Sequence, residues 1–121
     1  MKKFDKNHFW VEVNGNVAKI GLTSFKLSDL GTLNFVSLPE VGSNITKGEA
    51  FGNYESSKTT GDFIAPVTAK VVKVNQTLLN DPSSFDMMSA DEAILELESF
   101  DEAELNDLMT QQSYDTYLEN L

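Results

Sequence analysis

Apolar residues in the first three quarters of the chain fall into short runs with rough alternation of apolar and polar positions, a pattern that favours strands. The runs predict strands over residues 9–13, 17–22, 33–38, 50–56, 63–67, 70–74 and 93–97. The first two are separated by Asn14-Gly15-Asn16, which predicts a hairpin because Asn-Gly tolerates positive φ. The chain is therefore expected to be mainly β.

Helical signals lie in two places. Residues 24–30 predict a two-turn helix, with Thr23 or Ser24 as its cap and Gly31 at its left-handed stop. Near the end of the chain, Ser99 followed by Glu102 is a capping box, and Leu105, Leu108 and Met109 continue the helical stripe. Apolar residues then repeat at helical spacing over residues 114–121. Many strands followed by a helical tail indicate a sandwich or flattened barrel with helices on its side.

The composition limits what the protein can do. With 121 residues we expect one domain over residues 1–121, and without cysteine there is neither a disulfide frame nor thiol catalysis. The net charge of −10 and the absence of arginine argue against nucleic-acid binding. No apolar run approaches the length of a membrane span, and the first ten residues lack the apolar centre of a signal peptide. We therefore expect a cytoplasmic monomer that binds neither nucleic acid nor membrane.

No catalytic pattern stands out. His8 is the sole histidine and is expected to pack beside Trp10, and no metal-ligand spacing, nucleophile elbow or phosphate-cradling glycine loop is present. Acidic residues after position 100 suit a helix start, where they complement the dipole. Met87-Met88 is typical of adaptable core or interface packing. We predict that the protein is not an enzyme.

One lysine is unusual in its surroundings. Lys58 lies in Glu-Ser-Ser-Lys-Thr-Thr-Gly-Asp, residues 55–62, between two runs that can pair as a hairpin. An ordinary solvated turn lysine is one interpretation. The alternative is a loading point for a covalent group carrier, since the neighbours are small and Pro66 stiffens the return strand. The small hydroxyl residues would then leave room for a modifying enzyme.

The lysine stretch resembles the lipoylation site of glycine cleavage system H proteins, where Glu-Ser-x-Lys precedes small residues, an acidic residue and Ala-Pro-Val. The resemblance extends over most of the chain. It includes His-Phe-Trp at 8–10, Ile-Gly-Leu-Thr at 20–23, Leu-Gly at 30–31 and Phe-Val-Ser-Leu-Pro-Glu-Val-Gly at 35–42, then Asn75, Leu78, Pro82 and the C-terminal helices.

The resemblance implies a barrel-sandwich hybrid, with a short helix in its N-terminal half and helices at its C-terminus. It implies that Lys58 carries lipoate by covalent attachment and shuttles an aminomethyl group. Glu55, Ser57, Thr59 and Asp62 would be flanking recognition residues. The implied partners are glycine decarboxylase (P protein), aminomethyltransferase (T protein), dihydrolipoyl dehydrogenase (L protein) and a lipoate ligase or lipoyl transferase. Biotin is disfavoured, because the related biotin carriers place their lysine between two methionines.

The chain departs from the family pattern at three places. Residues 87–94 lack the glycines and tryptophan that usually precede the last strand, Thr32 replaces an acidic residue, and Ala69 replaces a glycine. Two alternatives therefore stay open. One is an H-like lipoyl carrier used in lipoate relay or redox-linked signalling, and the other is an unmodified binding module with the same fold.

Overall fold

The structure, a computed structural model, describes residues 2–121 and contains two antiparallel sheets. Its strands are β1 (Lys2–Phe4), β2 (Phe9–Asn14), β3 (Val17–Leu22), β4 (Leu33–Ser37), β5 (Asn44–Ile45), β6 (Ala50–Ser56), β7 (Thr60–Ile64), β8 (Ala69–Val74) and β9 (Leu95–Glu98). Its helices are α1 (Ser24–Leu30), α2 (Gln76–Asn80), α3 (Glu102–Leu105) and α4 (Gln111–Glu119), and Pro82–Ser84 and Met87–Ser89 form 3₁₀ turns.

The larger sheet has six strands in the order β1-β2-β3-β9-β8-β5. The β2–β3 hairpin closes where Asn14 pairs with Val17, and Gly15 takes a φ of 63°. The predicted Asn-Gly hairpin is therefore confirmed. The smaller sheet has the order β4-β6-β7, so the strands on either side of Lys58 are neighbours in it.

Apolar side chains of both sheets share one core. Its aromatic centre joins the two sheets directly, since the Phe9 ring of β2 lies 6.1 Å from the Phe63 ring of β7. Phe51 of β6 contacts both rings, at 5.7 Å from each. Aromatic pairs at such distances add to the stabilisation that burial provides.

The C-terminal helix α4 packs against β1, the edge strand of the larger sheet. Phe4 of β1 and Met109 exchange two backbone hydrogen bonds of 2.8 and 2.7 Å, and the Phe4 and Tyr114 rings stack at 4.7 Å. Phe4, Trp10 and Tyr114 form a second buried cluster. The tail of the chain is thus attached to β1, a strand that the sequence did not predict.

Two predicted strands and one predicted helix cap are misplaced. The strand expected over residues 63–67 is β7 (Thr60–Ile64), because Ala65, Pro66 and Val67 are all buried and leave the alternating pattern. The strand expected over 93–97 begins only at Leu95, since the Ala93 carbonyl accepts the Asn75 side-chain amide at 2.9 Å.

The predicted capping box is the third error. Ser99 takes a φ of 53°, whereas the Asp101 carboxylate accepts the Ala103 backbone N–H at 3.0 Å and begins α3. The helix over residues 24–30 is confirmed, capped by Thr23. The C-terminal helix covers Gln111–Glu119, and the short strands β1 and β5, α2 and both 3₁₀ turns were not predicted.

Candidate cofactor-attachment site

Lys58 lies at the tip of the β6–β7 hairpin and is exposed. Strand pairing continues to Glu55 opposite Thr60, and the Ser56 N–H then donates to the Thr59 carbonyl at 2.8 Å. Only Ser57 and Lys58 lie between the two residues of that last bond. The hairpin therefore holds the lysine Cα on a tight turn that is closed by a backbone hydrogen bond.

Ser56 organises this turn through its hydroxyl. Its Oγ accepts the backbone N–H groups of Lys58 and Thr59 at 3.3 and 3.1 Å, and it donates to the Thr59 carbonyl at 3.0 Å. A serine hydroxyl that bonds the backbone two and three residues ahead is a recognised turn former. Sequence reasoning overlooked Ser56, although a serine two residues before the tip of a short hairpin is the signal that could have identified it.

Ser57 attaches the lysine turn to the loop after α1. Its backbone N–H donates to the Thr32 carbonyl at 2.8 Å, and its Oγ accepts the Thr32 N–H at 3.2 Å. The small hydroxyl residues therefore do more than leave clearance for a modifying enzyme. Ser57 fixes the turn against a second segment, and Ser56 shapes it.

The Lys58 side chain runs toward the C-terminal end of α1. Its Nζ donates to the Ser28 carbonyl at 3.4 Å, which is a long and exposed bond. A Cβ placed on Gly31 would lie 3.5 Å from Lys58 Cε and 2.7 Å from Ser57 Oγ, so the glycine leaves room for both side chains. The carbonyls at a helix C-terminus favour a cation, and α1 has no basic residue in its own last turn.

The remaining predicted site residues flank the turn on its outer face. Glu55 and Asp62 are exposed and pair across the hairpin with Thr60 and Asn53 respectively. The pair between these two is Tyr54 with Gly61, and the Tyr54 side chain is buried in the core. Because side chains alternate along a strand, both carboxylates face solvent on the same side of the hairpin. The Thr59 hydroxyl donates to the Thr60 carbonyl at 3.2 Å. Within residues 2–121, Lys58 Nζ bonds neither carboxylate.

His8 belongs to a different part of the structure. Its Nδ1 lies 2.8 Å from the Tyr114 hydroxyl, which lies 2.9 Å from Thr23 Oγ1, and its ring packs against Phe25 at 4.6 Å. Burial lowers the pKa of His8, the Lys26 charge lowers it further, and Asp29 opposes the shift. The histidine thus packs, as predicted, but against α4 and α1.

Neither a cluster of metal-ligating side chains nor a membrane-spanning helix is found in residues 2–121. Across residues 2–121, no three His, Asp or Glu side chains come together as a metal site would require. The helices described there are all too short or too polar to cross a membrane.

The family model for the glycine cleavage H-protein matches residues 2–121. The chain belongs to this family. The glycine cleavage system H protein of Listeria monocytogenes serotype 4a (strain HCC23) is 41% identical over 117 residues, which cover 96% of this chain and 94% of that protein. That of Anoxybacillus flavithermus (strain DSM 21510 / WK1) is 40% identical over 114 residues, covering 93% and 90%.

A solved structure agrees with the fold. The crystal structure of a glycine cleavage system H protein from Mycobacterium marinum superimposes with a TM-score of 0.85 at 28% identity, covering 98% of this chain and 96% of that one. The predicted mainly β, barrel-sandwich fold is confirmed. Family membership also confirms a lipoyl-carrier role in the glycine cleavage system, without catalysis by the carrier itself.

Proposed function

We propose that Lys58 is the lipoyl attachment site and that the arm built on it shuttles the aminomethyl group in glycine cleavage. One observation carries this proposal. Lys58 is an exposed residue at the tip of a hairpin whose turn is bonded internally by Ser56 and to the Thr32 backbone by Ser57. Such a turn presents a single amine on a rigid base, which a swinging arm requires.

Attachment forms an amide between Lys58 Nζ and the carboxyl carbon of an activated lipoyl group. Lysine side chains in water carry a proton near neutral pH, and a protonated amine has no lone pair with which to attack a carbonyl carbon. The modifying enzyme, a lipoate ligase or lipoyl transferase, therefore has to accept the amine proton while the activating group leaves with the bonding electron pair. The product carries no charge, so the Lys58 side chain loses its attraction for the α1 carbonyls.

Lipoate supplies a disulfide that alternates between oxidised and reduced forms and carries the aminomethyl group. The extended lysine side chain and lipoyl chain span roughly 12–14 Å, judged from ordinary bond lengths. This length lets one arm visit several active sites while the hairpin stays folded, because tethering raises the effective concentration. The partners we propose are glycine decarboxylase, aminomethyltransferase and dihydrolipoyl dehydrogenase.

Glu55 and Asp62, together with Ser57 and Thr59, are proposed to guide the modifying enzyme to Lys58. The two carboxylates lie exposed on the outer face of the hairpin, where an approaching protein meets them first. We also propose that residues 1–121 act as one domain in the cytoplasm.

The test is the intact mass after co-expression with a lipoate ligase in the presence of lipoate. We expect one lipoyl addition in the wild type, none in Lys58→Arg, and one in the matched control Lys70→Arg, whose lysine is also exposed. A lipoyl addition that persists in Lys58→Arg would overturn the site assignment. An unmodified wild type would favour the binding-module alternative.

Glycine-dependent release of carbon dioxide then tests the carrier role. The lipoylated protein should stimulate the glycine decarboxylase of the source organism, and lipoylation without stimulation would favour the H-like relay. No structural observation favours that alternative.

A further inference from the structure

Large apolar side chains are exposed at six positions in residues 2–121, and four of them lie on α1, β4 and the second 3₁₀ turn. These are Phe25 on α1, Phe35 on β4, and Met87 and Met88 in the second 3₁₀ turn. The two methionines are 54% and 93% exposed, so neither fills the core. We call these four residues the methionine surface.

Two of the elements that carry the methionine surface, α1 and β4, contact the lysine hairpin, and the third lies beside α1. The Met87–Ser89 turn has Cα atoms within 8 Å of α1, and Pro82–Ser84 approaches β4 equally closely. The β4 strand pairs with β6, placing Phe35 opposite Glu55, three residues before Lys58. Lys58 Nζ itself reaches the Ser28 carbonyl of α1.

The methionine turn is anchored at both ends although its side chains protrude. Asp86 Oδ1 accepts the Met88 N–H at 3.0 Å, and the Ala90 carbonyl accepts the Trp10 indole N–H at 2.6 Å. Ser89, between them, is buried. The protein therefore holds two apolar, flexible side chains in solvent on a fixed turn, an arrangement typical of an adaptable interface.

We propose that the methionine surface docks a partner enzyme of the lipoyl cycle, one whose own surface has an apolar recess bordered by lysine or arginine side chains. The inference rests on the proposed carrier function. Charge selects this occupant, because Asp29, Glu55 and Asp86 are exposed around the surface and the chain carries a net charge of −10. A second copy would bring like charges together, and anionic lipid would be repelled.

Docking beside the lysine serves the carrier cycle directly. Helix α1 has seven residues and is therefore about 10 Å long. The loaded arm, at roughly 12–14 Å, is longer than this helix. A partner seated on the methionine surface therefore lies within reach of the arm. Met87 and Met88 lie in a segment where the chain departs from the family pattern. The methionine surface would therefore adapt this carrier to its own partner.

The test measures binding of the unmodified chain to the glycine decarboxylase of the source organism by calorimetry. The double variant Met87→Gln/Met88→Gln should raise Kd by about tenfold or more, since buried anchors dominate interface energy. The matched control Val41→Gln/Leu121→Gln alters the other two exposed apolar side chains and should leave Kd within about twofold. Raising salt from about 50 to 300 mM should weaken wild-type binding.

Several outcomes would overturn the proposal. These are an unchanged Kd in the methionine variant, an equal loss in the control variant, or no measurable binding by the wild type. A wild-type dimer in sedimentation that disappears in the methionine variant would do so too, because a second copy would then be the occupant. The failure of lipoylation at Lys58, read by intact mass, is a separate result that bears on the proposed function alone.

Discussion

The Ser57 hydroxyl and the Thr32 backbone N–H are joined by a hydrogen bond of 3.2 Å, although 25 residues separate them along the chain. The return bond, from Ser57 N–H to the Thr32 carbonyl, is 2.8 Å long. The lysine turn and the loop after α1 are thus joined as one unit, and the position of Lys58 depends on both.

Replacing Ser57 by alanine should loosen this unit. Ser57→Ala removes the acceptor for the Thr32 N–H but leaves the backbone bond, so we expect a loss of about 0.5–1 kcal/mol in unfolding free energy. The Thr32 amide should exchange faster with solvent deuterium. Thr59→Ala is the control, because the Thr59 hydroxyl bonds only the adjacent Thr60 carbonyl. An unchanged rate of amide exchange at Thr32 in Ser57→Ala would show that the Ser57 hydroxyl does not hold the lysine turn to Thr32.

Gly31 should resist substitution for two separable reasons. Its φ of 72° and ψ of −143° are accessible only to glycine, and an added Cβ would lie 2.7 Å from Ser57 Oγ. We expect Gly31→Ala to cost about 1–3 kcal/mol in unfolding free energy. Gly42→Ala measures strain alone, since Gly42 has a φ of 94° with open space around its Cβ position.

The double variant Gly31→Ala/Ser57→Ala tests whether the close approach of the added Cβ to Ser57 Oγ contributes to this cost. Removing Ser57 Oγ should recover part of the cost, so the two changes should combine to less than their sum. Strict additivity, measured by denaturant unfolding, would mean that backbone strain alone explains the effect.

The sequence predicted the local features well because their causes are local. The Asn14-Gly15 hairpin and the helix capped by Thr23 each depend on residues within one turn. The lysine hairpin was predicted for the same reason. The boundary of its second strand was misplaced, because the apolar run continues into Ala65 and Pro66, which are buried after the strand has ended.

Contacts between segments that are distant along the chain could not be predicted from the sequence. Nothing near position 57 indicates that Ser57 bonds Thr32, and β1 is a strand only because β2 and Met109 lie beside it. The exposure of Met87 and Met88 was also undecided, since an apolar pair suits a core and an interface equally. The structure excludes the core for both.

The Tyr114 hydroxyl should contribute to stability, because it joins α4 to the start of α1. It lies 2.9 Å from the buried Thr23 hydroxyl and 2.8 Å from His8 Nδ1. We expect Tyr114→Phe to lower the unfolding free energy by about 1–2 kcal/mol, because Thr23 Oγ1 loses a partner without gaining water. Tyr117→Phe, in the same helix, is the control, since no hydrogen bond of its hydroxyl is found in residues 2–121. Equal losses in both variants would show that the network is not responsible.

His8 should make stability depend on pH on the acidic side of neutrality. Burial lowers its pKa in the folded protein, and Lys26 adds to the shift against the opposing charge of Asp29. The unfolded chain, with an ordinary value near ~6.5, therefore takes up the proton first as the pH falls. The contribution of neutral His8 to the unfolding free energy is therefore fully present above the unfolded pKa. It declines as the pH falls from the unfolded pKa to the folded pKa, and then levels off.

Denaturant unfolding between about pH 7.5 and pH 5 should show this decline in the wild type and a flatter profile in His8→Gln, which removes the only histidine. Titration of the His8 ring by NMR gives the direction of its pKa shift without a stability measurement. A folded midpoint below that of an unstructured peptide is expected, since a protonated imidazole would lie in a half-buried position near Lys26. A midpoint at or above the peptide value would mean that the Tyr114 hydroxyl and Asp29 outweigh burial.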